Sequence, residues 1–245
     1  MMQLKVPDPE YTASPRAQAN FMLAIKLTLG FLAIVWAVFL FEQISQISLS
    51  RFGLRPREGM GLLGLLTTPL LHGSLSHIGS NSLPLFVAGV AMLFLYPHAS
   101  LRAWPMIYLG SAALAWVFAR PSVHIGASGL VYGMLAFVFV SGILRRDLRS
   151  VGVSLMVWFF YGSMVWGVLP AGRGMSWELH LSGALVGVVL AYLYRDWDRP
   201  PVKRYDWEDD PEDGDEFGAD DDFTQSERPA KRDQDQDPWR SDRWH

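Results

Sequence analysis

Cysteine is absent from the 245-residue chain. Disulfide frameworks, thiolate nucleophiles and Cys-bearing metal sites are therefore excluded. Acids are scarce over most of the length: before residue 196 only Asp8, Glu10, Glu42, Glu58, Asp147 and Glu178 occur. That scarcity argues against a small proton-coupled transporter, which needs ionisable groups within its spans. Met1–Asn20 lacks the basic, apolar and small-residue order of a cleaved signal peptide, so the apolar run that follows is expected to be retained.

What the chain does have is apolar length. Half of its residues are hydrophobic, with 10 Trp and 14 Phe among them, a richness that suits a polytopic membrane protein. Apolar stretches of about 20 residues, enough to cross a bilayer, are predicted at Phe21–Phe41, Ile78–Tyr96, Leu101–Phe118, Gly126–Leu144, Val151–Leu169 and Trp177–Tyr194. Lipid offers no partner to an open strand edge, so each is read as a helix. The fold class is all-α, a six-helix membrane bundle. Trp104, Trp158 and Trp166 are read as lipid and interface anchors.

Three regions follow: an N-terminal segment over 1–20, a membrane domain over 21–195, and an acidic tail over 196–245. The first two together carry 13 Lys+Arg against 6 Asp+Glu, the tail 8 against 18. With the N-terminus inside, the inner segments hold ten basic residues near span ends and the outer loops five, which favours both termini in the cytoplasm. The tail is proline-punctuated and poor in aliphatics, so it is expected to be disordered. Trp207, Phe217, Phe223, Trp239 and Trp244 could anchor a cytoplasmic partner there, although a solvated extension is the simpler reading. Between the first two spans, Glu42–His77 includes a short apolar run at 59–66 that suits a loop lying partly in the interface.

Polar residues inside spans are functional candidates, because lipid penalises them. Ser128 lies 17 residues before Arg145, about 25 Å along a helix. His180 lies 15 before Arg195 and Asn81 16 before Pro97, about 22 and 24 Å. All three thus reach one depth, just beneath the outer face. The pairs Gly129/Gly133 and Gly183/Gly187 would let the fourth and sixth spans approach closely. A serine hydroxyl becomes a useful nucleophile when an imidazole takes its proton. No carboxylate is placed to orient His180, since Glu178 falls on another face, so a Ser-His dyad is expected. His77 and Asn81, one helical turn apart, with the Ser128 N–H, could hold an oxyanion.

The blocks His72-Gly-Ser-Leu-Ser-His77-Ile-Gly-Ser-Asn81, Gly126-Ala127-Ser128-Gly129 and His180-Leu-Ser-Gly183-Ala-Leu-Val-Gly187 resemble rhomboid intramembrane serine proteases. The resemblance extends over roughly 21–195. It implies Ser128 as nucleophile, His180 as general base and His77 with Asn81 as oxyanion donors. It further implies Tyr132 beside the histidine, with His72 and Gly126 in support. The implied activity is endoproteolysis of single-pass transmembrane proteins near the outer face, without cofactor, metal or nucleic acid. One departure stands out: where many members carry Trp-Arg in the first outer loop, this chain has Arg51-Phe52-Gly53-Leu54-Arg55-Pro56-Arg57. No organellar leader pattern is seen, which points to a bacterial plasma membrane.

Two other functions fit parts of this pattern. A non-catalytic relative would bind helices or thin the bilayer, but such relatives usually lack the serine or the histidine. A zinc site on His72, His77 and His180 would leave Ser128 and Asn81 unexplained. His98 is expected to be an inner-loop residue without chemistry, and His124 a loop residue near the entrance.

Overall fold

The computed structural model of the protein describes residues 14–170 and 174–198. Its α-helices are α1 (Pro15–Ser45), the single-turn α2 (Gly64–Thr67), α3 (Leu75–Leu95), α4 (Pro97–Phe118), α5 (Ser128–Arg145), α6 (Leu148–Tyr161) and α7 (Trp177–Leu193). Among the described residues no strand forms, apart from one isolated antiparallel bridge between Leu54 and His124. The segments built on α1, α3, α4, α5 and α6 are long and apolar enough to cross a bilayer. With 17 residues, α7 covers about 26 Å at the helical rise. The chain is an all-α polytopic membrane protein.

Each expected span is found, with shifts that have local causes. The first begins six residues early, at Pro15 rather than Phe21. Ser14 Oγ accepts the Ala17 N–H at 3.1 Å and Pro15 occupies the first turn, a capped start that polarity alone concealed. The fifth span is α-helical only to Tyr161 and then tightens into a 3-10 stretch over Gly162–Val168. Residues 1–13 and 199–245 lie outside the described residues, and so do the expected tail disorder and its aromatic anchors.

The central helix is α5, which packs on α7 above all and also on α3, α4 and α6. Glycine makes the α5–α7 seam. A Cβ added at Gly183 would strike the Gly129 carbonyl, and one at Gly187 the Gly133 carbonyl. The two backbones are in contact, as the paired small residues predict. Larger side chains fill the rest: Leu85, Met92, Ile107, Leu130, Met134 and Phe137 form one continuous core. The α1 helix lies against α3, where Trp36 Nε1 donates to Ser82 Oγ at 3.1 Å. Trp158 and Trp166 are exposed as expected, but Trp104 is drawn into the packing, edge-on to Phe31 with ring centroids 6.0 Å apart.

Between α1 and α3 the chain winds through short helical turns whose Met60, Leu62, Leu63 and Leu66 are exposed. The region is anchored without a Trp-Arg pair. Arg57 donates through its backbone N–H to Trp116 O and through its guanidinium to Val117 O, and Trp116 Nε1 donates to Glu58 O. The Tyr108 hydroxyl donates to Leu66 O.

At the opposite end the expected boundary at residue 195 is overtaken. Asp198 is buried, and its carboxylate accepts the His98 and Ala99 backbone N–H groups at 3.0 and 2.8 Å and pairs with His98 Nδ1 at 2.6 Å. These N–H groups belong to the first turn of α4, which has no partners within its own helix. Arg145, at the end of α5, donates to the Trp197 and Asp198 carbonyls. His98 is thus structural, and residues 196–198 belong to the bundle.

Candidate active site

The starts of α3, α5 and α7 meet at one end of the bundle around a cavity of about 1060 Å³. Its walls include His77, Asn81, Ser128, Tyr132 and His180. Of the expected site residues, these five are brought together. His72 and Gly126 stand just behind the wall.

Ser128 is the first residue of α5. Its N–H, like others of the first turn, has no intrahelical acceptor, and the helix dipole adds positive potential there. The turn leading into it depends on Gly126, whose φ is +117°, a region open mainly to glycine. A side chain there would also meet His77 Nε2 at 2.6 Å. The turn is held from behind. Gly126 N–H donates to Thr68 O at 2.9 Å, and Ala127 N–H donates to His72 Nε2 at 3.3 Å. Accepting at Nε2 requires His72 to be neutral with its proton on Nδ1. Burial pushes its pKa down to about 4, the nearby His77 adds to that, and the Leu70 backbone opposes it.

His180 sits one turn into α7 and is buried. Its Nδ1 lies 2.9 Å from the Gly167 carbonyl. A carbonyl only accepts, so the neutral ring carries its proton on Nδ1 and leaves the Nε2 lone pair free. The ring stacks on Tyr132, with centroids 4.2 Å apart and planes 7° apart. The Tyr132 hydroxyl in turn donates to Met164 O at 2.8 Å. Orientation thus comes from two main-chain carbonyls of the 3-10 stretch and one aromatic face.

On α3, Asn81 Nδ2 donates to His77 O at 3.1 Å, which uses one of its two N–H groups and leaves the other for a ligand. Among the described residues no hydrogen bond joins Ser128 to His180. Resting enzymes often hold such a pair apart and tighten it when substrate binds. An alcohol, a free imidazole lone pair and several converging N–H donors together have the chemistry for acyl transfer. Among the described residues no three His, Asp or Glu side chains converge as a metal site.

Several contributors left little trace in the sequence. The Gly167 and Met164 carbonyls are backbone groups with no side-chain signature. His124, expected near the entrance, is fully buried in the cavity wall and ties three loops. It forms the bridge to Leu54, its Nδ1 lies 2.5 Å from Ser176 Oγ, and its Nε2 lies 3.1 Å from both Arg120 O and Ser122 Oγ. Two turn-forming segments around one histidine were the available signal.

Comparison with known proteins agrees with this architecture. The family model described as "Rhomboid domain" matches residues 60–197. The chain belongs to the rhomboid family of intramembrane serine proteases. An uncharacterized protein of Mycobacterium tuberculosis is 35% identical over 198 residues, covering 77% of this chain and 81% of its own. Another, from Mycobacterium leprae, is 32% identical over 204 residues, with 78% and 80% covered. Rhomboid-like protein 11, chloroplastic, of Arabidopsis thaliana is 30% identical over 146 residues, about half of each chain.

Proposed function

We propose that this protein is an active intramembrane serine endopeptidase working through a Ser128–His180 dyad. The observation that carries the proposal is the hydrogen bond from His180 Nδ1 to the Gly167 carbonyl. It fixes the tautomer in which Nε2 can accept the Ser128 proton, a task that a carboxylate performs in a triad.

In this reading Ser128 Oγ attacks the scissile carbonyl while its proton passes to His180 Nε2. The oxyanion is held by the Ser128 N–H, the spare Asn81 N–H and the His77 imidazole. The proton on His180 then goes to the leaving amine, and water entering the cavity hydrolyses the acyl-enzyme. Substrates are single-pass transmembrane proteins, unwound beside Ser128 so that their peptide bonds become open to attack. The distribution of Lys and Arg supports an orientation with both termini in the cytoplasm and the cavity toward the outer face of a bacterial plasma membrane.

Reconstituted in liposomes with a model single-pass substrate, the wild-type protein is expected to release a defined fragment, and Ser128→Ala none. Undiminished processing by Ser128→Ala would refute the proposal. Asn81→Ala is expected to lower kcat by roughly 10²–10³-fold if its amide stabilises the oxyanion, and an unchanged kcat would remove it from that role.

A further inference from the structure

Two positions before His180, in the first turn of α7, stands a carboxylate that the dyad does not use. Glu178 is only 2% exposed, and its Oε2 is buried without a hydrogen-bond partner. Its Oε1 lies 3.4 Å from both the backbone N and the Nε of Arg120. The same guanidinium donates to the Met175 carbonyl. One residue on, Ser176 Oγ meets His124 Nδ1. Met175, Ser176 and Glu178 are thus all tied to residues 120–124, and that loop runs directly into the Gly126–Ser128 turn.

A buried carboxylate is costly to retain unless its partner and position repay the lost hydration. Packing alone does not require one here, because the neighbouring Leu179 already fills the seam against Gly129. With the Ser176–His124 contact beside it, the pair binds the start of the helix that carries the base to the loop that delivers the nucleophile. Among the described residues no hydrogen bond joins Ser128 to His180 directly, so this tie spans the gap between them.

We infer that Glu178 is a positioning residue: gripped by Arg120, it holds the first turn of α7 against the Ser128 loop and so sets the approach of His180 to Ser128. This rests on the proposed dyad. Glu178 touches neither reacting group. The His180 ring is oriented by Gly167 and Tyr132, so the effect of Glu178 on the geometry passes through the backbone of α7.

The test uses the full chain in liposomes with four variants: Glu178→Gln, Arg120→Gln, their double, and Arg120→Lys. The readouts are kcat and KM on the model substrate, the rate of Ser128 phosphonylation by a fluorophosphonate, and thermal unfolding. Glu178→Gln is expected to lower kcat and phosphonylation about tenfold with KM nearly unchanged, since small misplacements of reacting groups act on the chemical step. Arg120→Gln should match it, the double should be no worse than the poorer single, and Arg120→Lys should recover part of the loss. Arg120 is two-fifths exposed at its side chain, so its variants keep the test alive should Glu178→Gln misfold. Wild-type kcat in either Gln variant, losses that multiply in the double, or a change confined to KM would overturn the inference. A wild-type protein that neither cleaves nor labels would overturn the dyad itself, a separate and recognisable failure.

Discussion

In the proposed dyad, the Gly167 carbonyl does for His180 what an acidic side chain does in a catalytic triad. The absence of a substituent is part of that arrangement, because a Cβ at Gly167 would collide with the Tyr132 hydroxyl and reach His180 Nδ1 at 3.3 Å. Gly167→Ala is therefore expected to push the Tyr132–His180 stack out of place and lower kcat by on the order of 10²-fold, the cost of about 1 Å of misplacement. Steady-state kinetics check this, and a near-normal kcat would show that the stack tolerates the shift. The proposed dyad could be read from the sequence because Ser128 and His180 fall at one depth in two glycine-bearing apolar runs, which sets them apart from the other buried serines. The carbonyls of Gly167 and Met164 were not, since every residue carries one and only folding selects which is used.

Among the elements, the α5–α7 seam decides the site. Backbone contact at Gly183 and Gly187 leaves no space for even one methyl group. Gly183→Ala is expected to destabilise the protein by about 1–3 kcal/mol through overpacking, and to slow Ser128 labelling as the two helices part. Unfolding in detergent and labelling rates measure the two effects together. The seam was readable from small residues spaced four apart, and so was the order of the spans. The start of α1 and the α-to-3-10 change at Gly162 were not, because apolarity marks what lipid covers and says little about hydrogen-bond pattern.

The loop behind α5 gives a prediction about pH. His72 has an ordinary pKa near 6.5 when exposed and about 4 in the fold. The stability tied to its neutral form is therefore complete above the higher value and is lost as pH falls toward the lower one. The whole shift corresponds to about 3 kcal/mol. Melting temperature should decline from pH 7 to about pH 4.5 more steeply in the wild type than in His72→Asn, which can still accept the Ala127 N–H without titrating. Parallel declines would show that other groups govern acid sensitivity.

For the molecule as a whole, the bundle is closed at both ends by different chemistry. One end holds the cavity and its loops. The other is fastened by Asp198, which reaches back to the first turn of α4 while Arg145 holds the carbonyls beside it. Asp198→Ala would leave buried N–H groups without partners, at a cost of about 1–3 kcal/mol. Cleavage at permissive temperature should persist, because the clasp lies at the far end from Ser128. Chemical or thermal unfolding checks the loss. This fastening was hidden in the sequence, where Asp198 is one acid in a run of acids whose composition reads as solvated chain.

The most direct measurement is active-site labelling of the membrane-embedded protein with a fluorophosphonate, followed by mass spectrometry of the modified peptide. The expected result is a single adduct on Ser128 that disappears in His180→Ala while the variant still melts as a folded protein. An adduct elsewhere, none at all in the wild type, or equal labelling of Ser128 without His180 would contradict the idea that these two helices assemble a nucleophile and its base.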